Sequence, residues 1–258
     1  MREKFDNLKI LPDERIDTVN ENIRLIQKKD GLTFGSDVFL LSAFVKPSKH
    51  AVCADLGSGT GIAGFLCLAR EKFSYLHAVE IQEQFADLIG RNACLNGLSD
   101  RVSVHACDVR NISPATFGRE LDIVISNPPY MKTDSGKRNA SDAKYIARHE
   151  VCGNIYDFCS AAAKILKFGG KFYCVYRPDR LADLIDAARK ASLEPKRVMF
   201  VHPDKSSEPS VVLVEAVKGG ASSMHVSPPL FIYDSDDRSS PNRKMSEKAL
   251  SVYDTCML

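Results

Sequence analysis

A glycine-rich turn between an apolar run and a helical pattern is the first segment that could bind a ligand. Asp55 ends the apolar run, and the glycine-rich turn consists of Gly57, Ser58, Gly59, Thr60 and Gly61. Such a turn lets a ligand approach the backbone closely, and the N-terminus of the following helix favours a negative group. The spacing differs from the G-x-G-x-x-G fingerprint of dinucleotide sites, because Ile62 stands in place of the third glycine.

Two further acidic residues end the next two apolar runs. Glu80 lies 23 residues after Gly57, and Asp108 is followed directly by Val109. The carboxyl ends of successive parallel strands meet at one edge of a sheet, so we expect these carboxylates to lie close to Asp55. A carboxylate can accept hydrogen bonds from both hydroxyls of a ribose. The alternative is that the glycines only permit tight packing and the acidic residues only cap turns.

The alternating glycines behind Asp55 resemble the first motif of the class I S-adenosylmethionine (SAM) methyltransferases. The resemblance implies that the turn meets the carboxylate and the amine of the SAM methionine, with Asp55 accepting a hydrogen bond from the amine. Glu80 would bind the ribose, and Asp108 with the Val109 N–H would bind the adenine. The product would be S-adenosyl-L-homocysteine. No set of His and Cys residues has the spacing of metal ligands, so we expect no metal.

Asn127, Pro128, Pro129 and Tyr130 directly follow the fourth apolar run. The two prolines remove two backbone donors and restrict φ, so the Pro128 carbonyl and the Asn127 amide oxygen can form a pair of acceptors. Two acceptors can hold a planar amino group and turn its lone pair toward the methyl group, without an obligatory general base. Tyr130 can stack on a flat substrate, and a base inside a duplex would have to be flipped out. In isolation the same residues are also typical of a rigid turn.

The chain as a whole resembles the SAM-dependent valine-tRNA adenine-N6 methyltransferases, within the small-domain amino methyltransferases. The resemblance covers roughly residues 15–233 and rests on the segments GLTFGSDVFLLSAF, DLGSGTG, NPPY, ARHE, VYRPDRLADLI and PKRVMFVHP. It implies a seven-stranded sheet with one antiparallel strand, and methylation of the adenine beside the anticodon. It also implies that Phe34 covers the cofactor; the alternative is a core residue next to a helix capped by Ser36. The tail departs from the relatives' pattern after Tyr233.

Basic residues cluster after Tyr130, although the whole chain carries a net charge of only +2. Residues 131–197 contain 14 basic and 8 acidic side chains. A flexible basic loop beside an adenine-sized pocket suits a phosphate backbone, so we expect RNA, and tRNA in particular, as the partner. The candidate substrate contacts are Lys132, Lys137, Arg138, His149 and Arg177. The alternatives are a solvated loop and, for Arg177, a structural ion pair.

Strand and helix patterns alternate from Ala51 onward. The apolar runs lie at 51–54, 76–79, 102–104, 121–125 and 171–175, and the helical patterns lie near 61–71, 82–96, 154–167 and 178–191. This alternation predicts an α/β fold of the Rossmann-like class I methyltransferase type, with a mostly parallel sheet and helices on both faces. Two further strands are predicted at 197–201 and 211–217. We expect Gly169 and Gly170 to close the fourth helix and Asn92 to face solvent.

The patterns divide the chain into three parts. Residues 1–50 are predicted to form a hairpin (23–27 with 32–34) and a helix (37–46) that pack on the core. Residues 51–218 form the methyltransferase domain. Residues 219–258 form a partly mobile extension, with a short helix at 243–253.

Composition excludes some classes of protein. The 44% hydrophobic and 26% charged residues are typical of an ordinary globular protein, and the apolar runs are too short for a membrane span. The N-terminus is charged throughout, unlike a secretory signal. The eight cysteines include no C-x-x-C pair, so we expect reduced thiols and a cytoplasmic location. No membrane partner is expected. No sequence feature specifies the oligomeric state, and a monomer is favoured.

Two alternative functions remain open. The same NPPY segment can serve a protein glutamine amide or a guanine amino group in rRNA. Glutamine methyltransferases of this type carry a helical recognition domain before the glycine turn, whereas only 54 residues precede Asp55 here. The other alternative is a catalytically idle, methyltransferase-like RNA-binding module. The complete set of acidic, glycine and asparagine positions favours an enzyme.

Overall fold

The computed structural model describes residues 8–29, 35–129, 153–235 and 243–258. The strands are β1 Glu14–Thr18, β2 Arg24–Lys28, β3 Val52–Leu56, β4 Tyr75–Glu80, β5 Val102–Ala106, β6 Leu121–Ser126, β7 Leu166–Tyr176, β8 Leu193–His202, β9 Val211–Lys218, β10 His225–Val226 and β11 Leu230–Phe231. Seven of them form the central sheet in the order β5-β4-β3-β6-β7-β9-β8. Only β9 runs antiparallel to its neighbours in this set. The predicted class I methyltransferase sheet is therefore confirmed.

Helices cover both faces of this sheet. They are α1 Asp37–Phe44, α2 Ile62–Ala69, α3 Glu83–Leu95, α4 Pro114–Phe117, α5 Ile155–Ile165, α6 Leu181–Lys190 and α7 Glu247–Thr255. Helices α1, α2, α3 and α7 pack on one face, and α4, α5 and α6 pack on the other. Successive strand residues point to opposite faces, so the neighbours Val124 and Ile125 are both fully buried, one in each core. Burial on both faces explains why these strands read as continuous apolar runs.

The four predicted helices are confirmed with ends shifted by a few residues, but the predicted role of Gly169 and Gly170 is wrong. Leu166 adopts an extended conformation directly after α5, and its buried side chain lies where β7 begins to pair with Leu121. The glycines consequently belong to β7. The register of β6 and β7 shifts between Leu121 and Ile123, which places both glycines in an irregular, bulge-like stretch.

The N-terminal hairpin consists of β1 and β2, which pair in antiparallel register. The predicted strand 23–27 is confirmed as β2, and it pairs with β1. Residues 32–34, which were predicted to pair with it, lie outside the described residues. The Asn20 side chain accepts hydrogen bonds from the backbone N–H groups of Asn22 and Ile23, at 2.9 and 3.0 Å, and so folds the chain back on itself. The hairpin docks against α3 partly through Asn92. That residue is fully buried, so the expectation that it faces solvent is wrong.

Helix α1 confirms the helix predicted near 37–46, with different chemistry at each end. Ser36 precedes the helix, but its side chain makes no capping hydrogen bond. At the other end, the buried Lys72 ammonium donates to the carbonyl oxygens of Ser42, Ala43 and Val45, at 2.5, 3.1 and 2.8 Å. These groups would otherwise lack intrahelical partners.

The described residues of the C-terminal extension pack against the core more extensively than composition indicated. The short strands β10 and β11 pair with β8 and widen the sheet. Helix α7, near the predicted 243–253, packs on α1, and the rings of Phe39 and Tyr253 lie 5.1 Å apart. Among the helices in the described ranges, none is long and apolar enough to cross a membrane.

Candidate active site

A cavity of about 350 Å³ lies at the carboxyl edge of the sheet, beyond the ends of β3, β4, β5 and β6. Most of the predicted ligand-binding residues line it. These are Asp55, Gly57, Ser58, Gly59, Thr60, Glu80, Asp108, Val109, Asn127 and Pro129. The strand ends converge there because parallel neighbours present their carboxyl termini to the same side of the sheet.

Asp55, in β3, places a carboxyl group deep in this cavity. Its side chain is only 2% exposed, and its Oδ2 atom has no hydrogen-bond partner among the described residues. Burial, opposed by a hydrogen bond from the Gly64 N–H and reinforced by the charge of Glu80, raises the pKa of Asp55 to about 7. An unpaired buried acceptor of this kind suits a cationic donor on a ligand.

The glycine turn wraps tightly around the end of β3. Its first two N–H groups, those of Gly57 and Ser58, donate to the Val79 carbonyl at 2.9 and 3.1 Å, which ties the turn to β4. Gly57 has a φ of 72°, and a Cβ atom there would lie 3.3 Å from the Phe158 ring. Gly61, with a φ of 86°, precedes α2 outside the cavity lining. These backbone conformations favour glycine over any residue with a side chain.

Both carboxylate oxygens of Glu80 are held by the backbone. Oε2 accepts a hydrogen bond from the Gly59 N–H at 3.0 Å, and Oε1 accepts one from the Gln82 N–H at 2.9 Å. Burial raises the pKa of Glu80, opposed by these backbone hydrogen bonds. Each oxygen can accept a further hydrogen bond, so the carboxylate presents two fixed acceptors to a ligand with neighbouring hydroxyl groups.

Asp108 is held in a different way, by a residue that the sequence patterns did not indicate. Its Oδ1 accepts a hydrogen bond from the Arg110 N–H at 2.8 Å, and the Arg110 guanidinium pairs with both oxygens. This pairing with Arg110 lowers the pKa of Asp108, so the carboxylate is charged. Asp108 joins Asp55 and Glu80 in the cavity lining, which among the described residues includes no Lys or Arg side chain that could pair with the phosphates of a dinucleotide.

Asn127 and Pro129 enter the cavity from the end of β6. Ser126, the last residue of β6, is buried and donates from Oγ to the Leu56 carbonyl at 2.8 Å, so the ends of β6 and β3 are joined directly. Pro128 is buried and lies outside the cavity lining. The asparagine therefore stands at the same edge as the three carboxylates, one strand away from Asp55.

The cavity also has apolar walls that the sequence analysis missed. They include Val38, Ile62, Ala63, Ile81, Phe85 and Phe158. Phe85 and Phe158 lie in the first turns of α3 and α5, which begin at this edge. Large apolar residues in the first turn of a helix that follows a ligand-binding strand end are the sequence signal that could have identified them.

The remaining predicted site residues lie elsewhere. Arg177 directly follows β7 and does not line the cavity. Its guanidinium forms a bidentate ion pair with Asp179, with Nε donating to Oδ1 at 2.8 Å and Nη2 to Oδ2 at 2.9 Å. The other predicted positions lie outside the described residues, namely Phe34, Tyr130, Lys132, Lys137, Arg138 and His149. Across the ranges that the structure covers, no three His, Cys, Asp or Glu side chains are grouped as metal ligands would be.

Relatives and solved structures of similar sequence or shape support a methyltransferase. One relative is a protein from Parabacteroides distasonis named tRNA1(Val) (adenine(37)-N6)-methyltransferase. It is 28% identical to this chain, and the match covers 72% of this chain and 77% of the relative. A protein of the same name from Pedobacter heparinus is 26% identical, and the match covers 68% of this chain and 73% of that relative. A crystal structure described as a predicted O-methyltransferase from Agrobacterium tumefaciens superimposes with a TM-score of 0.68 and 23% identity, over 86% of this chain and 97% of the other.

The family comparison agrees with the fold and with the position of the cavity. The model of the methyltransferase small domain matches residues 27–185. That segment runs from the N-terminal hairpin to α6 and includes the strands whose ends form the cavity. The chain therefore belongs to the methyltransferase small domain family.

Proposed function

We propose that this protein is a SAM-dependent methyltransferase that modifies N6 of an adenine in tRNA. The observation that carries the proposal is the convergence of Asp55, Glu80, Asp108 and Asn127 on one cavity at the ends of four neighbouring strands. The relatives' names point to adenine 37 as the target and to tRNA as the substrate. Action on tRNA would place the protein in the cytoplasm.

The donors and acceptors of the cavity fit SAM. The unpartnered Oδ2 of Asp55 suits the ammonium group of the methionine moiety, and the two fixed oxygens of Glu80 suit the ribose hydroxyls. Asp108 suits the adenine amino group, with the Val109 N–H as donor to a ring nitrogen. When bound, SAM supplies a methyl group on a positively charged sulfur. No residue of this site requires a metal for that chemistry.

The residues after β6 would perform the positioning step. The Asn127 amide oxygen and the Pro128 carbonyl would each accept one N–H of the target amino group, which directs its lone pair at the methyl carbon. The N–C bond forms as the S–C bond breaks, and the nitrogen then releases one proton to solvent. Pro129, and Tyr130 beyond the described residues, would contact the flat face of the base.

Contacts with the rest of the RNA would come from basic residues that follow β6 and β7 in the sequence. We assign this role to Lys132, Lys137, Arg138 and His149 in the segment after Tyr130. Arg177 would take part by exchanging its Asp179 partner for a phosphate, since an exposed ion pair is weak enough to be replaced.

Transfer of label from SAM to bulk tRNA tests the proposal. After incubation and digestion to nucleosides, we expect the label in N6-methyladenosine. Label in a guanosine derivative, or in protein alone, would instead favour the guanine or glutamine alternative. Absence of calorimetrically detectable SAM binding at millimolar ligand would overturn the assignment as an enzyme and favour the idle RNA-binding module.

Replacing Asn127 separates transfer from cofactor binding. We expect Asn127→Ala to lower the transfer rate by about 10²-fold or more, as loss of one transition-state acceptor does, and to change SAM affinity little. The exposed hairpin residue Asn22 provides the control Asn22→Ala, which should transfer at the normal rate. A parallel loss of SAM affinity in Asn127→Ala would contradict this division of roles.

A further inference from the structure

Two asparagines, Asn92 in α3 and Asn96 directly after the helix, form hydrogen bonds with the backbone of the hairpin as a neighbouring strand would. Asn96 accepts from the Arg24 N–H at 2.9 Å and donates to the Arg24 carbonyl at 2.7 Å. Asn92 does the same for Ile26, at 2.6 and 3.3 Å. Four residues of a helix span about 6 Å, and two residues of a strand span about 6.7 Å. Side chains four residues apart on the helix can therefore reach backbone groups two residues apart on the strand.

One contact distinguishes the two asparagines. The Asn92 amide nitrogen also donates to the carbonyl of Thr60, at 3.2 Å. Thr60 is the last residue of the glycine turn before Gly61 and lines the cavity. Asn92 thus joins β2, α3 and the turn from a fully buried position. The Asn96 side chain is half-buried, and within the described ranges its hydrogen bonds go to the backbone of Arg24 and of Asn92.

We propose that Asn92 is a positioning residue of the cofactor site. It holds the Thr60 carbonyl away from the cavity and thereby keeps the glycine turn in the shape that receives the ligand. The bonds to Val79 and Glu80 tie the first half of the turn to β4, and the Ser58 hydroxyl donates to the Asp55 carbonyl at 2.8 Å. In the second half, the Gly61 N–H donates to the Ser58 carbonyl at 2.9 Å within the turn, and Asn92 joins Thr60 to α3 and the hairpin. The N-terminal hairpin is by this route part of the cofactor site, and this inference rests on the proposed SAM site.

The matched pair of substitutions Asn92→Ala and Asn96→Ala tests the role. Each variant loses the two bonds to one residue of β2, but only the first releases Thr60. Calorimetric titration with SAM, well below the unfolding temperature of each variant, should show affinity about tenfold weaker for Asn92→Ala, the effect of losing one positioning hydrogen bond. Asn96→Ala should bind as the wild type does. Equal losses in both variants, or no loss in either, would overturn the proposal.

A second variant and a second measurement cover the case in which Asn92→Ala does not fold. Asn92→Ser leaves a smaller cavity, and its short hydroxyl does not reach all three groups. Amide hydrogen exchange of a peptide containing residues 57–61 should be faster in Asn92→Ser than in Asn96→Ala. A folded Asn92→Ser protein with normal exchange and normal SAM affinity would disprove the role. Failure of the wild type to bind SAM would count against the proposed function alone.

Discussion

Asp55 shows how a single carboxyl group changes its chemistry on folding. In the unfolded chain its pKa would be the ordinary 3.8, and in the fold burial raises the pKa to about 7. Between these values the folded state holds a proton that the unfolded state has lost, so stability falls as the pH rises from about 4 to 7. A ligand ammonium group would reverse that cost, because it stabilises the charged carboxylate.

Cofactor affinity should therefore depend on pH. SAM should bind the charged form of Asp55, which is about a tenth of the population at pH 6 and most of it at pH 7.5. The affinity for SAM should therefore be roughly tenfold weaker at pH 6. Most SAM molecules still have a protonated amine at pH 7.5. Titration calorimetry at the two pH values measures this change. Glu80 lines the same cavity and could also titrate, so Asp55→Asn serves as the control that separates the two carboxyl groups. That variant should bind weakly with little pH dependence, and a wild type without pH dependence would contradict the raised pKa.

At the scale of elements, helix α1 depends on a lysine from a distant segment. Lys72 is 1% exposed, and its ammonium satisfies three carbonyl groups at the end of the helix. Burial lowers the pKa of Lys72, but the three acceptors and the negative end of the helix dipole compensate for the loss of water. Gly35 and Val38, at the start of the same helix, line the cavity, so the helix that Lys72 anchors also forms part of the cavity wall.

Lys72→Met should destabilise the protein by about 2–4 kcal/mol, because three buried carbonyl groups lose their ammonium donor and only that of Ser42 keeps a weak one, the Cys67 thiol. Urea unfolding measures the change. The matched control is Lys190→Met, which removes an exposed lysine whose partner is Asp186, and it should unfold almost as the wild type does. Equal effects of the two substitutions would show that the carbonyl groups find other partners.

At the scale of the whole molecule, the C-terminal extension closes the fold by returning to its N-terminal helix. Arg243 is central to that return. Its guanidinium forms an ion pair with the buried Asp204, and it lies 4.4 Å from the centre of the Tyr233 ring. Two residues later, Met245 forms a β-bridge with Tyr233, and Ser246 caps the N-terminus of α7 by accepting a hydrogen bond from the Ala249 N–H. The extension thus holds α1 from outside the matched family segment.

Arg243→Met should release this extension while leaving the central sheet intact, because Asp204 would lose its cationic partner and Tyr233 its guanidinium contact. Hydrogen exchange should become faster in residues 225–235 and 247–258 and remain slow in β3 and β6. Lys244→Met removes the same charge from an exposed neighbour and should exchange as the wild type does. Unchanged exchange in the Arg243 variant would show that packing of α7 alone retains the extension.

Local features of the sequence were sufficient for the class of fold and for most of the cavity. Apolar runs and helical periodicity depend on neighbouring residues, and they predicted the strands, the helices and the parallel sheet. Asp55, Glu80, Asp108 and Asn127 each follow or end such a run. Their meeting at one edge follows from the direction of parallel strands and requires no knowledge of distant contacts.

Only the tertiary structure decided which distant groups meet. The partner of β2, the burial of Asn92 and the contact of Lys72 with the end of α1 depend on groups that are distant in the sequence, which periodicity does not encode. An asparagine in a helical pattern can face solvent or be buried, and the pattern does not distinguish the two. The role of Asn92 depends on its hydrogen bonds to Ile26 and Thr60, which the fold brings next to it. The sequence by itself determined which elements form and which polar groups end the strands. The folded chain determined their burial and their distant partners. Burial raises the pKa of Asp55, and the hydrogen bonds to Val79, Glu80 and Asn92 hold the glycine turn.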